Sequence, residues 1–139
     1  MGIEENKTII RRLIETVSTL DLSNLVTSDF VCHTVDGMKI DMTGFQQRFM
    51  ILRNAIPDLK QDIEDIVAEG DKVVARIRFY GTHQGKFINI EPSGNEISMK
   101  CYITCRFQNE KIAEEWMVQD YYSMFLQMGV VPAIWDLGK

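Results

Sequence analysis

The chain is predicted to be a single α+β domain, with helices packed on one face of a curved antiparallel or mixed sheet. Three observations predict this. Two amphipathic helical segments come first, a run of long segments alternating in two-residue steps follows, and a short helical segment closes the order. With 139 residues, 45% of them hydrophobic and 25% charged, the chain has the size and balance of one ordinary globular domain with one core.

The first helix is expected over Asn6 to Leu20, because Ile9, Ile10, Leu13, Ile14, Val17 and Leu20 recur at helical spacing with Arg11, Arg12 and Glu15 opposite. Asp21 to Asp29 reads as a broken stretch holding at most one helical turn. Phe30 to Val35 is short and β-prone, and Asp36-Gly37 is a turn signal. Thr43 is placed to cap a second helix, whose buried stripe is Phe45, Phe49, Leu52 and Ile56 and which Pro57 ends.

From Leu59 the period changes to two. Leu59 to Ala68 reads as a strand, Glu69-Gly70-Asp71-Lys72 as a tight turn, and Lys72 to His83 as its antiparallel partner, with Val73, Ala75, Ile77 and Phe79 on one face. A loop from Gln84 to Glu96 holds Gly85, Pro92 and Gly94. Ile97 to Phe107 is a long strand, with Ile97, Met99, Cys101, Ile103, Cys105 and Phe107 against Ser98, Lys100, Tyr102, Thr104 and Arg106. Gln108 to Lys111 turns it into a last strand, where Ile112, Glu114, Trp116, Val118 and Asp120 are expected on one side. After Asp120 the apolar positions Tyr121, Met124, Phe125 and Met128 fall three or four apart, and Gly129 supplies a left-handed helix stop. Val130 to Lys139, with Pro132 and Trp135, is expected to be an ordered tail packed on a neighbour.

The net charge of −5 and the lack of a basic cluster exclude nucleic acid as an expected partner, and an anionic membrane surface for the same reason. The acidic start Met1-Gly2-Ile3-Glu4-Glu5 lacks the layout of a signal peptide, and no apolar run has spanning length. Cys32, Cys101 and Cys105 have no zinc-type spacing. Cys101 and Cys105 lie on one face of one strand, about 13 Å apart and too far to bridge, so reduced buried thiols in a cytoplasmic protein are expected. His33 and His83 lie far apart with no compact third ligand, which gives no expected metal site.

No phosphate loop, nucleophile elbow or zinc-protease motif is present. The ordered set Glu69-Gly-Asp-Lys-Val-Val-Ala-Arg76, Gly81-Thr-His-Gln-Gly85, Pro92-Ser-Gly94 and Lys111-Ile-Ala-Glu-Glu-Trp-Met-Val-Gln-Asp120 nevertheless resembles the SnoaL-like polyketide cyclases. These belong to the nuclear transport factor 2-like group that also contains ketosteroid isomerase. Ala55-Ile56-Pro57-Asp58 and Leu126-Gln127-Met128-Gly129 fit as well, and the similarity runs from about Asn6 to Pro132 within a single domain spanning 1–139.

The resemblance implies a cone-shaped, cystatin-like α+β barrel. Its strongly curved sheet would wrap around the N-terminal helices, enclose a pocket and often form homodimers. It also implies a cofactor-independent enzyme of the cyclase or isomerase kind, acting on a hydrophobic carbonyl compound of polyketide type. Through the Trp-x-x-x-Asp pattern it makes Asp120 the acid/base, a role for which desolvation by Trp116 and Tyr102 would raise its pKa. An aspartate just before a helix is equally a good N-cap, accepting from Tyr122 or Ser123, and that contact would lower its pKa.

His33 and His83 are candidates at the pocket mouth, and both also suit structural roles. Phe45, Phe49, Tyr80 and Trp116 are candidate ligand-facing walls. Ile97 to Phe107 lacks the histidine that the family's cyclases carry on this strand, so Tyr102 and Thr104 are the candidate donors there. A non-catalytic pocket for an apolar metabolite is one alternative. Epoxide hydrolysis is another, but its Asp-Arg-Asp set is represented here by Asp120 alone.

Overall fold

The computed structural model describes residues 2–16 and 22–139, and the architecture is α+β. In chain order the elements are α1 (Ile3–Thr16), β1 (Val26–His33), β2 (Lys39–Ile40), α2 (Met42–Ala55), β3 (Lys60–Glu69), β4 (Lys72–Thr82), β5 (Glu96–Gln108), β6 (Lys111–Gln119) and α3 (Tyr121–Met128). One sheet of six strands runs in the order β2-β1-β6-β5-β4-β3. All neighbours are antiparallel except β1 and β6, which pair in parallel, so the sheet is mixed.

Helix α1 starts three residues earlier than the apolar spacing indicates; Val17 and Leu20 lie outside the described residues. Ile10, Leu13 and Ile14 are buried, and α1 packs on β3 and β4. Strand β1 begins at Val26 rather than Phe30, after a turn in which the amides of Leu25 and Val26 donate to the Leu22 carbonyl. The expected cap at Thr43 belongs instead to Asp41. Its side chain accepts the Gly44 amide at 2.8 Å, which sets Thr43 inside the first turn. Phe45, Phe49 and Leu52 bury the inner stripe of α2 as their spacing requires.

The alternation in β4 and β5 is realised in full. Val73, Ala75, Ile77 and Phe79 are buried with Ile97, Met99, Cys101, Ile103, Cys105 and Phe107, and their sequence neighbours face outward. Positive φ at Asn109 (51°) and Glu110 (66°) forms the tight β5–β6 turn.

Strand β6 departs from the expected pattern. Phe107 pairs with Ile112 but Arg106 pairs with Glu114, which leaves Ala113 as an extra residue on β6. Such a bulge exchanges the two faces of everything after it. Ile112 is therefore buried, whereas Glu114, Trp116 and Val118 face outward and Glu115, Met117 and Gln119 face the helices.

In the tail, Tyr122 donates its hydroxyl to the Pro132 carbonyl at 2.8 Å, and Ile134–Asp136 forms one 3-10 turn. Trp135 is 88% exposed. Among the described residues no helix is long and apolar enough to cross a membrane.

Candidate active site

The parts of the sequence signature around Ala55, Asp58, His83, Ser93 and Gln127 are scaffolding. Both the Gln84 and Gly85 amides donate to the Ala55 carbonyl, at 3.1 and 3.0 Å. Asp58 accepts the Thr82 amide at 2.7 Å and the Thr82 hydroxyl at 3.0 Å, which holds its carboxyl below the usual range. His83 is fully buried, and its Nδ1 accepts the Ser93 amide at 3.1 Å with the Ser93 hydroxyl at 2.9 Å. That contact assigns the ring proton to Nε2, which has no hydrogen-bond partner among the described residues. Gln127 brackets Ser98 through both of its amide atoms and fastens α3 to the start of β5. The signature thus joins α2, the β4–β5 loop and α3.

The cavity lies between the inner face of the sheet and helices α1 and α2. Its walls include Leu13, Phe45, Phe49, Phe79 and Ile103, and its polar groups are Glu115, Gln61, Gln119 and Arg48. The inner volume is about 40 Å³. A wider, open vestibule of about 420 Å³ shares Arg48 and Gln119 with it, and carries Ile51, Leu52, Phe87, Tyr121 and Phe125.

Glu115 is the carboxyl of this cavity. Its residue is 1% exposed, it stands opposite Cys105 on β5 and Cys32 on β1, and both thiols donate to it, at 3.4 and 3.5 Å. Among the described residues no lysine, arginine or histidine forms an ion pair with it. An ionised carboxylate without a countercharge is costly in such surroundings. Burial accordingly pushes Glu115 up from the ordinary value of 4.5 to about 7, against the smaller opposing effect of the two thiol contacts. Burial, together with the Glu115 carboxylate, pushes all three cysteine thiols up. Thiols raised in this way are poor nucleophiles, and those of Cys32 and Cys105 serve Glu115 as weak donors.

The candidate residues separate into four places. His83, expected at the pocket mouth, is instead buried against Ser93 and lines neither cavity nor vestibule. Phe45 and Phe49 line the cavity. Asp120 is the N-cap of α3, where Oδ1 accepts the Ser123 amide at 3.1 Å and Oδ2 the Ser123 hydroxyl at 2.5 Å, and it is not part of the cavity wall.

Tyr80, Tyr102, Thr104, Trp116 and His33 stand on the outer face of the sheet, so the expectation that they line the pocket is corrected. For Tyr102 and Thr104 the parity of β5 already put them opposite the buried row; for Trp116 the bulge at Ala113 is the cause. His33 stacks on Trp116 at 5.2 Å and meets Glu114 at 2.6 Å, and Arg106 meets the same carboxyl at 3.1 Å. These two partners, the His33 bond first, hold Glu114 below the usual carboxylate range.

No three His, Cys, Asp or Glu side chains are grouped to hold a metal ion among the described residues. The inner polar residues that sequence reasoning missed are Glu115, Gln61, Gln119 and Arg48.

A mixed sheet with helices across one face and a carboxyl in an apolar cavity defines the class of small α+β pocket proteins. The chain belongs to the SnoaL-like polyketide cyclase family, whose profile matches residues 7–128. AclR from Streptomyces galilaeus, described as a candidate hydroxylase, is 25% identical with a TM-score of 0.84, over 96% of this chain and 86% of that one. IdmH from Streptomyces antibioticus, described as a candidate polyketide cyclase, is 27% identical with a TM-score of 0.78, over 90% of this chain and 99% of that one. A similarly described protein from Bacillus cereus is 25% identical with a TM-score of 0.78, over 92% and 83%. Among curated proteins none matches the chain.

Proposed function

We propose that the protein is a cofactor-independent proton-transfer enzyme of the cyclase or isomerase kind, acting on an apolar carbonyl compound, with Glu115 as its acid/base. The observation that carries this reading is the Glu115 carboxyl, buried in a largely apolar cavity with no ion-pair partner among the described residues and pushed up to about 7 by burial. A carboxyl with that poise can take a proton from the carbon alpha to a carbonyl and give it back. In an intramolecular aldol closure the enolate carbon forms a bond to a second carbonyl carbon. The resulting alkoxide then receives the proton from Glu115, which leaves the protein unchanged.

Asp120, to which the family resemblance points, engages both oxygens with Ser123; its proposed part is to fix the start of α3 beside the vestibule residues Tyr121 and Phe125. Exchange of alpha protons for deuterium, followed by NMR on aryl ketones and β-dicarbonyls, tests the assignment. Glu115→Gln should slow exchange by roughly 10²-fold or more, and Asp120→Asn should leave most of it. Equal exchange by wild type and Glu115→Gln would reject the role of Glu115.

One observation favours a second reading, a non-catalytic pocket that holds an apolar metabolite. The inner cavity of about 40 Å³ admits little more than water, whereas the adjoining vestibule of about 420 Å³, which Glu115 does not line, has room for a ligand. Recovery of such a ligand unaltered, with no alpha exchange, selects this reading.

A homodimer through the outer face of the sheet is also proposed. Tyr102 (47% exposed), Trp116 (37%) and Val118 (55%) form an apolar patch there, alongside Val74 and Val67. The three unpaired, buried cysteines support a reducing compartment such as the cytoplasm.

A further inference from the structure

We propose that the vestibule recognises a small amphiphilic carboxylate, whose apolar ring body lies against Ile51, Leu52, Phe87 and Phe125 and whose carboxylate is held by Arg48. This names the substrate class for the site above and rests on that reading only for what happens after binding.

Among the described residues Arg48 is the one cation lining either the cavity or the vestibule, and it lines both. It projects from α2 between Phe45 and Leu52, so an apolar environment surrounds its stem. The head is already in a carboxylate-binding geometry. Nη1 donates to Oδ1 of Asp36 at 3.2 Å and Nη2 to Oδ2 at 3.3 Å, a two-pronged contact.

Asp36 sits in the exposed turn between β1 and β2, with its side chain 55% exposed, and is held there by the Thr34 hydroxyl as well. An ion pair so open to solvent is weak. Asp36 therefore acts as a resident carboxylate that a ligand can displace or share, because a guanidinium has five N–H donors and Asp36 takes two.

Two further donors face the same opening. Neither the Gln119 side-chain amide nor the Tyr121 hydroxyl makes a hydrogen bond among the described residues, and Gln119 lies at the junction of cavity and vestibule. Burial pushes the Tyr121 phenol above its ordinary value of 10.0, which keeps it a neutral donor. Around these groups the walls are apolar, with Phe87 edge-on to Phe125 at 5.8 Å and Tyr121 stacked on Phe125 at 6.1 Å. A chain with a net charge of −5 repels anions in general, so a lone arginine at the mouth of an apolar site selects for one charge at one place.

Binding of 2-naphthoate and of its neutral methyl ester to the full chain, by NMR titration at pH 8, tests the inference. Wild type should bind the acid at least tenfold more tightly than the ester. Arg48→Gln should abolish that preference while leaving the ester's affinity unchanged, and Lys72→Gln, which removes an equal charge from the β3–β4 turn, should preserve it. Asp36→Asn should tighten binding of the acid, because the competing carboxylate is gone; an unchanged or weaker affinity would remove Asp36 from the account.

Equal affinities for acid and ester, binding of neither, or a preference that survives Arg48→Gln would overturn the inference. The same titration on Glu115→Gln separates the two readings. A preserved preference with unchanged alpha exchange defeats the role of Glu115 alone, and a lost preference in Arg48→Gln with Glu115-dependent exchange intact leaves both standing.

Discussion

Glu115 and Cys105 face each other across the β5–β6 ladder, and the thiol donates to the carboxyl at 3.4 Å inside a cavity where, among the described residues, no cation pairs with it. A thiol is a weak donor, so this contact satisfies an oxygen without stabilising a full negative charge. Glu115 is thereby kept near the point where holding and releasing a proton are balanced.

Glu115→Gln should reshape the dependence of stability on pH. The folded-state value of about 7 lies above the ordinary 4.5, so the folded protein holds this proton more tightly than the unfolded chain does. Below about pH 4.5 both states hold it. As pH rises from there through about 7 the unfolded chain ionises first and stability is lost, on the order of 3 kcal/mol. Glutamine cannot ionise, so urea denaturation should show the variant gaining on wild type by that order between pH 4.5 and pH 8. Contributions from Asp36, Asp58 and Glu114, whose carboxyls are lowered and whose stabilisation is lost on acidification, cancel in the comparison.

Asp120→Ala should cost about 1 kcal/mol of stability, the usual loss when an N-cap is removed, and Asp120→Asn should cost much less because its amide oxygen still accepts the Ser123 amide. Urea midpoints of the two variants measure this. Equal losses would mean that the charge, rather than the cap, is what Asp120 supplies.

Most of the fold was legible because its elements carry a clean period. The apolar rows of α2, β4 and β5 follow from spacing alone, and the left-handed stop at Gly129, with φ of 82°, follows from residue type. The site was not legible, for one main reason. Reading β6 in steps of two from Ile112 carries its parity through Ala113, and a single extra residue there reverses every later face. Composition cannot correct the error, since Trp116 and Val118 on one face balance Ala113 and Met117 on the other, and the adjacent pair Glu114-Glu115 puts one glutamate inward under either parity. The Glu-Glu pair beside an apolar run was the available signal. Arg48 was hidden by the rule that arginine on a helix faces solvent, and His83 was ambiguous because its partner Ser93 lies across a loop.

Val118→Arg should convert the proposed homodimer to monomer. The position is 55% exposed on the outer face and pairs with Tyr102 at the centre of the patch, where an unpaired charge would be desolvated on association. Sedimentation equilibrium at several concentrations should give a dimer for wild type and about 16.0 kDa for the variant. A wild type that stays monomeric removes the dimer from the account.

Gly85→Ala should destabilise the fold by about 1–3 kcal/mol, because an added Cβ would stand 2.0 Å from the Asn54 carbonyl oxygen, a backbone atom that cannot move without breaking the contacts of Ala55. Thermal unfolding checks this, with Gly94→Ala as a comparison in which the Cβ meets open space and any cost comes from its φ of +74°.

The central claim is that Glu115 is a carboxyl held near neutrality for proton transfer. Carboxyl-carbon NMR titration of the glutamates, with Glu115→Gln to assign the resonance, measures it directly. The account predicts a midpoint near 7 for Glu115, above that of Glu114 on the opposite face. A midpoint at or below the ordinary 4.5 would contradict it, because the carboxylate would then be fully charged at neutral pH and unable to hold the proton it must return.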